Sequence, residues 1–275
     1  MAQPPAKTPP LALAVVPARL GSTRLPRKML LCDSGAPLVV ETARNAWQSG
    51  VFAHIVVAAD TAEIVDAVSA AGFRALFTSP DHPSGTDRVR DALEQLAQSG
   101  TRFDVVVNVQ GDEPELGAAD LAALVSAFHD PAVEFASLWA PLAEADADAP
   151  ATVKVALDRS GNALYFSRSK IPARGHGGEI GSAVGRANGP DGPWKRHVGV
   201  YAYRPDALSR FCNLPEGELE ALERLEQLRW LENGGRIRML RAQHLTRGID
   251  TPRDYAEYVE RSARRRAAPK EPSAT

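Results

Sequence analysis

The feature that most constrains the fold of this 275-residue chain is an alternation of short apolar runs with helical patterns between residues 11 and 109. Apolar runs of strand length lie at residues 11–17, 54–59, 73–77 and 103–109. Helical patterns with typical boundary residues separate them, at residues 37–49, 61–71 and 86–98. Such alternation is typical of a parallel sheet with helices on its faces. We therefore predict an α/β fold.

The second half of the chain has a different pattern, in which strand-like runs follow one another without helices between them. They lie at residues 134–140, 152–157, 163–167 and 196–203, followed by a helix at 218–232, a strand at 236–242 and a helix from Pro252. We expect a single domain at residues 11–260, built on a mixed, mostly parallel sheet flanked by helices, with an antiparallel insertion at about 133–215. Residues 1–10 and 262–275 are expected to be tails. The glycine-rich segment 174–193 is expected to be a loop or lid.

The charge balance excludes some classes of partner. The chain has 32 Lys and Arg against 34 Asp and Glu, a formal net charge of −2, whereas binding to a phosphate backbone needs a surplus of clustered cations. No apolar run reaches the length of about 18 residues that a membrane span needs. The two cysteines are too few for a disulfide framework and suit a reducing compartment. We therefore expect a cytoplasmic protein with no nucleic-acid partner and no membrane insertion.

Ligands of open α/β sheets bind beyond the carboxyl ends of the strands, so the loops at those ends are the first candidates for a site. The loop at residues 18–28 holds Arg19, Arg24, Arg27 and Lys28 beside small hydroxyl residues. Arginine forks and a lysine point charge can surround a polyphosphate, although the same loop could be a solvated basic segment. It matches neither the P-loop nor the dinucleotide-binding pattern, which disfavours both of those classes.

Two further strand-end loops carry carboxylates. Asp112 lies in the sequence Gln-Gly-Asp-Glu-Pro after the run at 103–109, and Asp250 follows the strand at 236–242. Mg²⁺ is typically held by one or two carboxylates together with substrate phosphates, so the pair could share one ion. The alternative is that each aspartate only forms a turn, as short acidic residues often do.

A fourth segment, residues 81–88, opens the predicted helix at 86–98. Ser84, Gly85 and Thr86 could contact a base edge or an anion there, or Ser84 could serve as an ordinary helix N-cap. His82 has no His or Cys companion at metal-ligand spacing, so we do not expect a zinc site. The leucine stripe of the helix at 218–232 is expected to be core or a subunit contact.

Seven segments occur in an order that resembles one family. They read VVPARLGSTRLPRKML, DHPSGTDR, NVQGDEP, ALYFSR, RHVGVYAYR, LEQLR and GIDTPRD. From about residue 11 to about 260 the chain is similar to the 3-deoxy-manno-octulosonate cytidylyltransferases. This resemblance implies a nucleotidyltransferase-type fold and a homodimer. It also implies that CTP and the eight-carbon acidic sugar 3-deoxy-manno-octulosonate (Kdo) react with Mg²⁺ to give CMP-Kdo and pyrophosphate, for lipopolysaccharide biosynthesis.

The resemblance also implies roles for particular residues. The residues that match catalytic positions are Arg19, Lys28, Asp112 and Asp250, of which the two aspartates match the Mg²⁺ ligands. Those that match nucleotide-binding positions are Arg19, Arg24, Lys28, Ser84, Gly85, Thr86, Arg88 and Gln110. Those that match the sugar pocket are Arg168, His197, Tyr201, Glu226 and Gln227. No histidine base is implied, so a hydroxyl made acidic by the metal, or Asp250, would serve.

The chain departs from the family pattern at Ala221, where the family usually has a histidine. This departure leaves an amino-substituted Kdo or a sialic acid open as the acceptor. A nucleotide-sugar glycosyltransferase is a further alternative, but the only Asp-x-Asp spacing that could hold its metal is at Asp146 and Asp148, with no strand before it. A non-catalytic regulator is disfavoured because both Asp112 and Asp250 are present.

Overall fold

A computed structural model of the chain describes residues 9–173, 192–244 and 246–267. Nearly all of the predicted lid, residues 174–191, therefore lies outside the described residues. The chain forms two compact units. The first unit consists of Met1–Leu13, Gly100–Val107 and Gly117–Leu245, and the second of Ala14–Ser99, Asn108–Leu116 and Thr246–Thr275. The single domain at residues 11–260 stays a prediction.

The second unit contains most of strand β1, Ala12–Ala18, with β2, His54–Ala59, and β3, Arg74–Phe77. Their order is β3–β2–β1, and β2 pairs with β3 in parallel, with Val56 opposite Arg74. Every residue of β1 is buried, as expected of an apolar strand covered on both faces. Helices α1, Leu38–Gln48, and α2, Ala62–Ala70, contact β2.

The remaining helices of this unit are α3, Gly85–Gln98, and α9, Pro252–Ala267. Leu25, Leu38, Ile249, Tyr255 and Tyr258 form one apolar cluster that anchors α9 within the unit. The helix continues to Ala267, past residue 262, where the C-terminal tail is predicted to begin. That boundary stays a prediction.

The described residues of the first unit form six strands. They are β4, Val105–Asn108, β5, Phe135–Pro141, β6, Lys154–Leu157, β7, Ala163–Ser167, β8, Lys195–Tyr203, and β9, Arg238–Arg241. The last residue of β4, Asn108, belongs to the second unit. The order is β4–β8–β5–β9, and β6 pairs with both β7 and β8. Pairs β5–β8, β6–β7 and β6–β8 are antiparallel, whereas β5–β9 is parallel. The predicted mixed α/β class with a late antiparallel insertion is confirmed.

The helices of the first unit differ most from the prediction. Among the described residues these helices are α4, Ala118–Ser126, α5, Glu144–Ala147, α6, Pro205–Asn213, α7, Glu218–Glu223, and α8, Leu228–Glu232. The predicted single helix at 218–232 is wrong, because Arg224 adopts a left-handed conformation (φ 52°) that ends α7. The leucine stripe is accordingly divided: Leu225 and Leu228 are buried, while Leu222 is 81% exposed.

Helix α6 was not predicted, although its sequence has two features that are typical of a helix. Pro205 stands at its first position, where the missing N–H costs nothing, and Leu208 and Phe211 are buried at helical spacing. Among the described residues, no helix is both long enough and apolar enough to cross a membrane.

Candidate functional site

A polar cavity of about 420 Å³ lies within the second unit. It is bounded by the loop after β1, the loop after β4, the start of α3 and Asp250. Most of the predicted catalytic and nucleotide-binding residues line it, namely Arg19, Arg24, Lys28, Ser84, Gly85, Arg88, Gln110, Asp112 and Asp250. The exception is Thr86, which is buried in the first turn of α3 and is not part of the lining.

The centre of the cavity is an ion-pair cluster around Lys28. Its Nζ lies 2.6 Å from Asp112 Oδ2 and 3.1 Å from Asp250 Oδ1. Arg24 adds a second cation, with Nη2 3.0 Å from Asp250 Oδ1. The backbone holds the two aspartates together, because the Ile249 N–H donates to the Asp112 carbonyl oxygen at 3.0 Å. Two carboxylates distant in sequence therefore reach a single cationic atom.

This donor set fits a Mg²⁺ ion. Mg²⁺ prefers carboxylate oxygens and keeps several waters, so one or two protein carboxylates with substrate phosphates complete its shell. The shared contact with Lys28 Nζ shows that both carboxylates can approach one point. Among the described residues, no group of three or more His, Cys, Asp or Glu side chains is arranged to hold a metal ion. Those residues therefore form no site in which the protein supplies every ligand.

The loop after β4 owes its position to Gly111. A Cβ atom on this residue would lie 2.8 Å from Met29 Sδ and 3.0 Å from the Pro17 carbonyl oxygen, which leaves no room for a side chain. Thr42 Oγ1 donates to the Gly111 carbonyl oxygen at 2.8 Å. Close packing of this glycine against the end of β1 places the neighbouring Asp112 beside the cationic loop.

The start of α3 is held by a cap. Ser84 Oγ accepts from the Asp87 N–H at 3.1 Å, so the interpretation of Ser84 as an N-cap is confirmed. The N–H groups of a first helical turn have no acceptor within the helix, which makes this end favourable for an anion.

Arg88 is fixed beneath that helix end. It is buried, and its Nη1 donates to Thr78 Oγ1 at 2.6 Å and to the Ser79 carbonyl oxygen at 3.1 Å. Burial lowers the pKa of Arg88, although Asp60 and Asp91 act in the opposite direction. Its charge is thus held in the wall of the cavity by fixed partners.

His82 is a lining residue to which sequence reasoning gave no role. Its Nε2 lies 2.7 Å from Asp91 Oδ2. Burial opposes ionisation of Asp91, but hydrogen bonds from His82, Gln95 and the Ser79 N–H hold the pKa of that carboxyl below its usual range. In the sequence, only the position of His82 could have indicated that it lines the cavity. It comes directly before the Pro-Ser-Gly-Thr sequence that opens α3.

The predicted acceptor residues all belong to the first unit. The rings of His197 and Tyr201 on β8 are 5.3 Å apart, and Tyr201 Oη donates to Gln227 Oε1 at 3.4 Å. Gln227 is 3% exposed, and its Nε2 has no hydrogen-bond partner among the residues that the structure describes. Burial, reinforced by the charge of Glu226, raises the pKa of Tyr201. Four of the five predicted acceptor residues are therefore neighbours.

His197 is held in its neutral form. Burial, with a smaller contribution from Arg196, lowers its pKa to about 3. Its Nε2 lies 2.9 Å from Ser137 Oγ, and its ring packs edge-on against Phe166 at 4.9 Å. At neutral pH this side chain is an uncharged hydrogen-bonding group.

Arg168 has a different environment from the other four. Its Nε donates to the Glu223 carbonyl oxygen at 2.8 Å, Nη1 to the Pro150 carbonyl oxygen at 3.3 Å and Nη2 to the Arg224 carbonyl oxygen at 3.4 Å. The guanidinium is therefore committed to main-chain acceptors. Its place in a sugar pocket stays a prediction.

Comparison with known proteins agrees with these features. The family model described as "Cytidylyltransferase" matches residues 13–238. A 3-deoxy-manno-octulosonate cytidylyltransferase of Paramagnetospirillum magneticum is 42% identical over 248 residues, covering 88% of this chain and 94% of that protein. The enzyme of the same name from Methylobacterium radiotolerans is 44% identical over 247 residues, covering 88% and 93%.

A solved structure extends the likeness to three dimensions. The CMP:2-keto-3-deoxy-manno-octonic acid synthetase complexed with CTP superposes with a TM-score of 0.82 at 36% identity, covering 93% of this chain and 99% of that chain. The sequence match spans both units, and the fold match covers nearly the whole chain. A nucleotidyltransferase fold, a cationic loop facing two carboxylates and relatives above 40% identity lead to one assignment: the chain belongs to the 3-deoxy-manno-octulosonate cytidylyltransferase family.

Proposed function

We propose that this chain transfers the cytidylyl group of CTP to Kdo, giving CMP-Kdo and pyrophosphate for lipopolysaccharide biosynthesis, and that the cavity of the second unit is its nucleotide site. The observation that carries the proposal is the meeting of Asp112 and Asp250 with Lys28 and Arg24 in one cavity. The relatives named for Kdo favour that acid over a sialic acid.

The cationic loop supplies what a triphosphate needs. Arg19 is exposed at the rim of the cavity and makes no ion pair with a carboxylate among the described residues, so its charge is available to a phosphate. Arg24 and Lys28 already face anionic oxygens and would exchange carboxylates for phosphate oxygens. The N-terminus of α3 presents a further anion-favouring end to the same cavity.

Asp112 and Asp250 are the residues that would hold Mg²⁺. The ion would neutralise charge that develops on the phosphates as pyrophosphate leaves. The protein contributes mainly positioning and fixed charge, which is what nucleotidyl transfer requires. The anomeric hydroxyl oxygen of Kdo would form the new bond to the α-phosphorus while the bond from that phosphorus to the pyrophosphate oxygen breaks. The hydroxyl proton would pass to Asp250 or to water.

The first unit offers donors for the acid. Gln227 Nε2 is buried and has no partner in the described part of the chain, and a buried N–H left unsatisfied costs about 1–3 kcal/mol. A sugar hydroxyl that accepts from this amide would recover that free energy. Neutral His197 and Tyr201 stand beside it as further polar contacts.

The carboxylate pair provides the test of this function. Asp112→Asn and Asp250→Asn each remove a charge and keep the shape, so we expect pyrophosphate release to fall by about 10²-fold or more in both variants. Asp66→Asn, which changes an exposed aspartate on α2 of the same unit, is the control and should keep the wild-type rate. A normal rate and normal metal dependence in Asp250→Asn would overturn the assignment.

We also propose that the protein is a cytoplasmic homodimer. The support is its family membership together with the two cysteines, neither of which forms a disulfide. Sedimentation equilibrium of the purified protein tests the dimer, and a single species at the monomer mass of 29.5 kDa would contradict it.

A further inference from the structure

The turn between α7 and α8 is strained, and its strain has to be offset by nearby contacts. Arg224 has φ 52° and ψ 50°, a left-handed conformation that is unfavourable for a residue other than glycine. The three residues that follow the turn are Leu225, Glu226 and Gln227, and two of them are predicted acceptor residues. Whatever stabilises Arg224 therefore also sets where Glu226 and Gln227 lie.

Arg168 satisfies the carbonyl groups at this turn. The last carbonyls of a helix have no partner within the helix, and a cation there also complements the helix dipole. The Nε and Nη2 atoms of Arg168 donate to the carbonyl oxygens of Glu223 and Arg224, which are the last residue of α7 and its C-cap. One side chain thus caps α7 and holds the left-handed residue.

Glu223 fixes Arg168 in return. Its carboxylate accepts from the Arg168 N–H at 2.8 Å and from Ser167 Oγ at 2.5 Å, with Tyr165 Oη at 3.5 Å. The contact is reciprocal, because the carboxylate holds the backbone of Arg168 while the guanidinium holds the backbone of Glu223. The C-terminal end of β7 is joined in this way to the end of α7.

Lys154 completes the arrangement from β6. It is fully buried, and its Nζ donates to the carbonyl oxygens of Ala149, Thr152 and Arg168. Burial lowers the pKa of Lys154, although Asp148 and Glu223 oppose the effect. A buried ammonium with three main-chain acceptors has no donor left for a ligand, which gives it a positioning role.

We propose that Glu223, Arg168 and Lys154 form a clamp that positions Glu226 and Gln227 for the acid acceptor, with Glu223 as the residue that joins its parts. The proposal rests on the proposed function, since it concerns the acceptor side of that reaction. It predicts that damage to the clamp affects the acid and leaves CTP binding almost unchanged.

The test compares Glu223→Ala with the conservative Glu223→Gln. In the alanine variant we expect the KM for Kdo to rise about tenfold or more, with the KM for CTP within about twofold of wild type. Amide hydrogen exchange at residues 224–228 should speed up about tenfold. Because the glutamine carbonyl can still accept from the Arg168 N–H, Glu223→Gln should restore both values to within about threefold of wild type.

Asp158→Ala provides a matched control at the opposite end of β7. Its carboxylate also accepts three hydrogen bonds, from the N–H groups of Ser160 and Asn162 and from Asn162 Nδ2. This variant should lose stability without a change in the KM for Kdo or in exchange at residues 224–228.

The possible results separate the clamp from the proposed function. Unchanged exchange at residues 224–228 in Glu223→Ala overturns the clamp whether or not the enzyme is active. Faster exchange with an unchanged KM for Kdo, or an equal rise for Kdo and CTP, overturns the positioning role. If the wild type releases no pyrophosphate with any ulosonic acid, the proposed function and its acceptor side both fail, while the exchange experiment still decides whether Glu223 holds the turn.

Discussion

At the scale of single residues, the candidate site is determined by the positions of its charged side chains and by how they pair with one another. Lys28 stands between two carboxylates and Arg24 also faces Asp250, so each aspartate is paired with a cation that belongs to the protein. A Mg²⁺ ion shared by Asp112 and Asp250 would have to displace that ammonium. The displaced ammonium would then be free to contact the triphosphate that arrives with the metal. Under the proposed function, Lys28 would therefore couple metal binding to nucleotide binding.

The substitution Lys28→Met tests this coupling without an activity assay. Removing the ammonium takes away the cation that both carboxylates share and leaves Asp250 with Arg24 alone. We therefore expect Mn²⁺ to bind the nucleotide-free protein about tenfold more tightly, measured by electron paramagnetic resonance. CTP should bind about tenfold or more weakly, because a charge-assisted contact is worth about 1.5–3 kcal/mol.

Lys170→Met is the matched control for that measurement. Lys170 also faces two acidic side chains, Asp148 at 3.1 Å and Glu144 at 3.8 Å, but lies outside the cavity lining. It should change neither affinity. Weaker Mn²⁺ binding in Lys28→Met would contradict the exchange of lysine for metal.

At the scale of elements, the sequence predicted strands and loops better than it predicted helix continuity. The residues of the cavity were predicted because polar groups follow apolar strands at ligand-binding ends, and this information is local. The break at Arg224 was not predictable from periodicity, because the leucine spacing continues through it. The contacts that stabilise the break come from Arg168, which is 56 residues away in sequence.

The left-handed conformation of Arg224 predicts which of two substitutions at this position gives the more stable protein. Glycine adopts positive φ without a steric cost, so Arg224→Gly should be more stable than Arg224→Ala by about 1 kcal/mol in urea unfolding. Glu94 on α3 is an exposed helical residue and provides the reverse case, where Glu94→Gly should be less stable than Glu94→Ala by about 1 kcal/mol. If the alanine variant were more stable than the glycine variant at both positions, the assigned backbone conformation of Arg224 would be contradicted.

At the scale of the whole molecule, the stability of the fold depends on pH through the buried, neutral side chain of His197. The pKa of His197 is about 3 in the folded protein, below the value of about 6.5 for a free histidine. Below pH 6.5 the unfolded chain therefore takes up a proton that the folded chain does not. Stability contributed by neutral His197 is complete above that pH and is lost as the pH falls towards 3.

His197→Gln isolates this contribution. Glutamine does not titrate, so the wild type should lose about 2 kcal/mol more than the variant in free energy of unfolding between pH 7 and pH 5. Urea unfolding at the two pH values measures the difference directly. An equal loss in both proteins would mean that His197 is protonated in the folded state over this range.

The identity of the reaction product decides whether the proposed function is right. The most direct measurement is to incubate the purified protein with CTP, Mg²⁺ and Kdo, then quantify pyrophosphate and identify the sugar product by mass spectrometry. We expect CMP-Kdo and pyrophosphate in equal amounts, with little product from ATP or GTP and none without a divalent metal. Pyrophosphate release that does not depend on an ulosonic acid, or no release with Kdo, amino-substituted Kdo or sialic acid, would contradict the proposed reaction.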